Sequence, residues 1–202
     1  MVRRFIWSLI AMLVVLLVTV GILLLTRETN YRGVLYDPPQ AAFDFQLYTA
    51  GNEPVSLKDL NGKAVLLFFG YTSCPDICPN TLAILRQVYT DLGEQADKVQ
   101  IIYITVDPER DTPQRVADYA AIFHPDFIGL SGGLEALEAA WAAYGVYREI
   151  DDTSGSSAGY LVTHSARLYL IDPQGDLLLS YSYGTPAEDI LYDVRLLLRE
   201  YE

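Results

Sequence analysis

An unbroken apolar run at 64–69 and a second strongly apolar stretch at 99–106 dominate the hydrophobic pattern of the chain, and each is followed by residues that break a strand. Runs of strand length with no polar alternation read as strands covered on both faces, as in a parallel sheet. After the first run, Leu82, Leu85 and Val88 recur at helical spacing. After the second, the pattern predicts a helix over 114–123, a short strand over 127–130 and a helix over 134–144 whose Leu134, Leu137 and Trp141 share a face. Residues 146–150 read as extended, and 151–159 as a Ser/Gly/Asp loop of low apolar content. Residues 160–171 and 177–183 flank Pro173-Gln-Gly175 as an antiparallel hairpin. A terminal helix over 186–201 carries Ile190, Val194, Leu197 and Leu198 on one side. Upstream of the first run, 43–47 alternates and Ala50-Gly51-Asn52 turns toward Val55, which predicts another hairpin.

Strand, helix, strand, helix, then hairpin and helix is the order of an α/β, thioredoxin-like fold with an N-terminal hairpin and an insertion. In such a sheet the site lies beyond the C-terminal ends of the parallel strands, where the 70–79 turn falls.

Residues 1–27 read as a membrane anchor outside this fold. Arg3 and Arg4 precede an uncharged run over 5–25, and Arg27 follows it. At about 1.5 Å per residue the run spans about 31 Å, enough for one transmembrane helix. It is longer than a signal-peptide core, and Leu24-Leu25-Thr26-Arg27 offers no small-x-small cleavage site, so an uncleaved anchor is expected over a cleaved signal. The flanking arginines favour the N-terminus inside and the rest exported, which fits a bacterial inner membrane with the domain in the periplasm. Residues 28–42, with Pro38-Pro39, read as a linker, leaving 43–202 as one domain.

Of the 14 Lys and Arg, three flank the apolar run, leaving 11 against 26 Asp and Glu and a net charge of −15 over 28–202. Such a surface argues against nucleic acid as a partner and is suited to cations or a basic protein. The only two cysteines are Cys74 and Cys78, too few for a disulfide scaffold and therefore expected to be functional. Strand, tight turn and helix place both beside a helix N-terminus, where backbone N–H groups and the helix dipole favour thiolate. Pro79 in the first turn makes Cys78 the expected cap, with Ser73 before Pro75 as the other possible start.

Three intervening residues still permit a disulfide, and they also let two thiolates diverge around an ion. Soft sulfur suits Cu(I); zinc would want a tetrahedron that the chain can hardly complete. The only methionines are Met1 and Met12, and the only histidines His124 and His164, so a low-coordinate Cys₂His copper site is the arrangement the chain can supply. His124 follows a helix and precedes Pro125, the place of a C-terminal cap. His164, between the Ser/Gly loop and a strand, reads on spacing alone equally as a strand histidine or as a ligand; a strand start in this fold lies near the cysteine loop, which favours the ligand. Asp76 reads as a charge near the metal or as a solvated turn residue.

Tyr71-Thr-Ser-Cys-Pro-Asp-Ile-Cys-Pro79, Thr105-Val-Asp-Pro-Glu-Arg-Asp-Thr-Pro113, and Thr163-His-Ser165 followed by Leu168-Tyr-Leu-Ile-Asp-Pro-Gln-Gly175 resemble the Sco/SenC family over essentially 43–202. The resemblance implies a copper protein that matures the dinuclear copper centre in subunit II of cytochrome c oxidase, with Cys74, Cys78 and His164 as copper ligands. Many members carry an acidic residue immediately before that histidine; here it is Thr163. A thiol–disulfide reductase that keeps the target's cysteines reduced is the alternative, with Cys74 and Cys78 as a redox-active pair and His164 dispensable. Periplasmic copper carriers or thiol reductants are the further partners expected of either role. An electron-transfer copper centre of Cys-x₃-Cys-x₃-His type is rejected, because Leu82 and Leu85 stand where it would need ligands. Nothing in the chain argues for a peroxidase, and the 107–113 stretch has no metal role, only a part in shaping the turn after the strand.

Overall fold

The computed structural model describes residues 2–25, 30–156 and 159–201. It divides into two compact units, 1–30 and 31–202. The first holds helix α1 (Val2–Leu25), in which the Ser8 and Thr19 hydroxyls donate to the Arg4 and Val15 carbonyls one turn back. Among the described residues no helix is long and apolar enough to cross a membrane, so a continuous helix is all that the structure supplies for the expected anchor.

The second unit is built on a six-stranded sheet. In spatial order it runs β1 (Val34–Ala41), β10 (Asp176–Ser182), β9 (Arg167–Ile171), β4 (Ala64–Gly70), β5 (Val99–Thr105) and β6 (Ile128–Leu130). β4, β5 and β6 are parallel; β9, β10 and β1 join antiparallel. Every residue of β4 and β5 is buried, as their strongly apolar sequences lead one to expect, with Gln100 and Thr105 buried among them. Helix α2 (Ile77–Leu92) lines Leu82, Leu85 and Val88 along its buried face and packs against α3 (Pro113–Phe123) and α5 (Ala187–Glu200). Helix α4 (Leu134–Ala143) buries Leu137 and Trp141 but leaves Leu134 exposed. The expected N-terminal hairpin is β2 (Gln46–Tyr48) with β3 (Pro54–Ser56).

Three elements differ from the sequence expectations. Most of the 28–42 linker is strand β1, because an edge strand can tolerate prolines that lack an N–H. Its pairing with β10 shifts register between Leu35 and Gln40, where Pro38 and Pro39 fall. The stretch expected as a loop over 151–159 continues strand β7 (Arg148–Ser156), which pairs with β8 (Gly159–His164); Ser157 and Ala158 lie outside the described residues. Pairing here uses backbone groups, so the lack of apolar side chains does not forbid it. Finally, 160–171 is two strands, not one: β8 belongs to a separate two-stranded sheet, and after Ser165 and Ala166 the chain enters the main sheet as β9.

Arg32 and Gly33, just before β1, are held by one buried side chain. The Asp193 carboxylate of α5 accepts from the Arg32 and Gly33 backbone N–H groups and from the Tyr181 hydroxyl, at 2.8–3.1 Å. Replacing it leaves these donors without partners, so Asp193→Ala is expected to lower unfolding free energy by about 1–3 kcal/mol in urea titrations. A change within error would show that β1 docks without this carboxylate.

Candidate metal and thiol site

β4 and β5 end level with one another, Gly70 opposite Thr105, and Val106 N–H donates to the Gly70 carbonyl at 2.8 Å. The turn that follows β4 carries both cysteines into α2. The helix starts two residues earlier than a Cys78 cap would give: Asp76 is the N-cap, yet its side chain accepts no bond from the first helical N–H groups. Its carboxylate takes the Asn80 side-chain amide instead, at 2.6 Å. The open backbone donor of Cys78 points to the Cys74 Sγ at 3.5 Å, so sulfur does what an oxygen usually does at this position.

The two sulfurs are inequivalent. A hydrogen bond from the Cys78 thiol, with further ones from the Asp76 and Cys78 backbone, holds Cys74 down to about 3 despite its partial burial. Burial pushes the Cys78 thiol well above its usual value, and the neighbouring Cys74 sulfur adds to this. One proton is thus shared between a half-buried thiolate and a buried thiol. Both are free cysteines.

His164 ends β8. Its Nδ1 lies 3.1 Å from the Ser165 carbonyl, which accepts only if Nδ1 carries the proton; the Nε2 lone pair then faces Cys78 Sγ at 3.7 Å. Tyr71 and Phe68 meet the ring edge-on, with centroids 5.9 and 6.5 Å away. His124 is elsewhere, as expected: it caps α3, lies between Tyr89 and Phe127, and accepts the Asp126 N–H at Nδ1.

The 107–113 stretch, expected only to shape the turn after the strand, joins the two halves of the site through residues 107–111. Asp111, fully buried, accepts from the Thr72 backbone N–H at 2.9 Å, the Thr72 hydroxyl at 2.5 Å and the Thr105 hydroxyl at 2.8 Å. Arg115 covers the same turn by donating to the Thr72 and Ser73 hydroxyls. Asp107, also fully buried, accepts from the Tyr160 hydroxyl at 2.7 Å and from Arg110, whose guanidinium lies 3.7 Å over the Tyr160 ring and donates to the Tyr160 carbonyl. Arg148, directly across the β7–β8 ladder from His164, donates to the Val106 carbonyl and pairs with Glu109. The cysteine turn hangs from Asp111 and the histidine hairpin from Asp107 and Arg148.

Gly70 was also missed. A Cβ there would lie 2.7 Å from Cys78 Sγ and 2.7 Å from the Tyr103 hydroxyl, so the glycine is required by close approach. A glycine ending an apolar strand just before a cysteine turn was the available signal.

Two sulfurs and one imidazole nitrogen suit a soft, low-coordinate ion, and the two sulfurs alone suit a disulfide. Among the described residues no group of three His, Cys, Asp or Glu side chains is already placed to hold a metal ion, so a shared ion needs side-chain movement. The cavity at the site is bounded by Tyr71, Cys74, Pro75, Ile77, Leu161 and His164, and has room for about 260 Å³.

The pattern that defines the SCO1/SenC family matches residues 35–199. A putative copper-binding protein of Stutzerimonas stutzeri is 38% identical over 147 residues, 71% of either chain. The mitochondrial SCO2 homolog of mouse is 38% identical over 154 residues, 75% of this chain but 60% of that longer protein. Among solved structures, Arabidopsis thaliana ScoI with copper bound is 34% identical with a TM-score of 0.73, over 80% of this chain and 99% of that one. More distant is BsSco, a member of the Sco family of cytochrome c oxidase assembly proteins with a disulfide switch, at 25% identity and a TM-score of 0.62, over 81% of this chain and 97% of that one.

The inequality of the sulfurs is open to a direct check. Thiolate is the form that alkylates, and a lowered pKa keeps it present as pH falls. In the reduced, metal-free protein, Cys74 alkylation by iodoacetamide should stay near its plateau at pH 6, where an ordinary thiol with pKa about 8.5 has lost nearly all its thiolate. Cys78 should label far more slowly throughout. A Cys74 midpoint between pH 8 and 9 would contradict the assignment.

Proposed function

Since the chain belongs to the SCO1/SenC family, we propose that it binds copper through Cys74, Cys78 and His164 and delivers it during assembly of cytochrome c oxidase, to the dinuclear centre of subunit II. The observation that carries this reading is the His164 imidazole, which turns Nε2 toward Cys78 Sγ at 3.7 Å while Nδ1 is engaged by the Ser165 carbonyl. A nitrogen oriented by a hydrogen bond on its far side is how metal-binding imidazoles are commonly prepared. The copper-bound ScoI of Arabidopsis and the copper-binding relative of Stutzerimonas stutzeri support the choice of ion. Copper is cargo in this reading: the two thiolates take it as Cu(I), the imidazole completes a three-coordinate site, and opening of the hairpin side releases it to an acceptor with more ligands.

We place the domain in the periplasm of a bacterium, with residues 5–25 spanning the inner membrane. This placement rests on the uncharged run between Arg4 and Arg27. The thiol–disulfide reading has its own support in the low-pKa Cys74 sulfur beside the Cys78 thiol, and BsSco carries a disulfide switch. The two roles are compatible, because copper loads only onto the reduced pair.

His164 separates them. His164→Ala should weaken Cu(I) binding in chelator competition by at least about tenfold, the scale on which even ligand support acts. Formation of the Cys74–Cys78 disulfide should be nearly unchanged, and His124→Ala should alter neither. If His164→Ala binds copper like the wild type and oxidase assembly is unimpaired, the reductase role is the function.

A further inference from the structure

Tyr103 stands in β5 and is wholly buried, and among the described residues its hydroxyl has no well-formed hydrogen bond; the one polar group it approaches is the Cys78 sulfur. A buried hydroxyl without a partner destabilises a fold relative to phenylalanine at the same place, so its presence calls for a reason. The ring is fixed between Phe68, stacked at 6.0 Å, and Tyr119 at 5.7 Å. Its hydroxyl and the Cys78 sulfur converge on the space that Gly70 leaves open, each 2.7 Å from where a glycine Cβ would be. The nearest chemistry to this orphaned donor is therefore a cysteine sulfur of the site.

A neutral thiol accepts hydrogen bonds weakly, whereas a metal-bound thiolate carries charge and accepts them well. The geometry points to Tyr103 as a positioning residue for Cys78: its hydroxyl donates to the Cys78 sulfur when that sulfur is held as a thiolate on copper. The inference rests on the copper reading of the site. Tyr103 is not itself a ligand, since a phenol oxygen is a hard donor and the two sulfurs are soft. It acts by drawing charge from the sulfur and by fixing its direction, and its bond to that sulfur is strong only in the loaded protein, where the sulfur is charged. Gly70 is what allows the approach: Phe69-Gly70-Tyr71 places the one residue without a Cβ where hydroxyl and sulfur meet.

The test is Tyr103→Phe in the full chain, read in three ways. Cu(I) affinity by chelator competition should fall by about tenfold, as when a hydrogen bond behind a ligand is removed. The sulfur-to-copper absorption of the Cu(II)-loaded protein should move to longer wavelength, because the sulfur regains the charge the hydroxyl had drawn off. The copper-free protein should melt at the same or a higher temperature, since the buried hydroxyl removed had at best a weak thiol partner there. A role in packing alone would change melting and leave the absorption where it was. If the wild type binds copper and Tyr103→Phe matches it in affinity and absorption, this inference falls while the copper reading stands. A wild type that binds no copper overturns both.

Discussion

Two buried carboxylates, Asp107 and Asp111, hold the site together. Removing a charge from water costs several kcal/mol unless hydrogen bonds replace the lost hydration, so both must be fully engaged. Asp111 engages the Thr72 backbone and hydroxyl, at the root of the cysteine turn. Asp107 engages Tyr160 and Arg110, at the root of the hairpin that ends in His164. β4 and β5 are parallel neighbours that end at the same level, so the loops after them share one edge of the sheet. The carboxylates make use of that neighbourhood by tying a sulfur-bearing turn and a nitrogen-bearing hairpin to the one five-residue stretch 107–111.

This arrangement leaves the donors close without locking them. The hairpin is a two-stranded sheet of its own, attached to the main fold by Tyr160, Arg110 and Arg148. Cys78, by contrast, is part of the core, wholly buried in the first turn of α2. A site with one donor in the core, one half-exposed at a helix cap and one on an attached hairpin can change its geometry by moving the hairpin side alone. That suits the proposed uptake and release of an ion. The same proximity of a stabilised Cys74 thiolate to Cys78 makes the pair ready to form a disulfide when no ion is present.

Where burial decided the structure, the sequence was informative. The runs at 64–69 and 99–106, the stripe Leu82, Leu85, Val88, and the face of α5 all appear as the apolar pattern requires. Where backbone hydrogen bonding decided it, the pattern misled. β1 carries two prolines and little buried surface, and residues 151–156 carry Ser, Gly and Asp, yet both pair as strands. The break between β8 and β9 was invisible because both strands are apolar; only the change of partner separates them. At the site, the two cysteines and His164 were legible as chemistry. Thr72, Tyr160 and Arg148 were not, since their roles arise from contacts 39 to 53 residues apart in the chain. Gly70 and Tyr103 belong to the same class: each looks like an ordinary strand residue until the Cys78 sulfur is placed between them.

The central claim is that one ion is shared by the cysteine turn and the histidine hairpin. X-ray absorption at the copper edge of the Cu(I)-loaded full chain tests it most directly, because scattering from sulfur and from an imidazole differ in distance and in outer-shell pattern. The account predicts two sulfur neighbours and one imidazole nitrogen, with the imidazole contribution lost in His164→Ala. Two sulfurs with no imidazole in the wild type would contradict it, and would leave the hairpin as a cover over a dithiolate rather than part of a metal site.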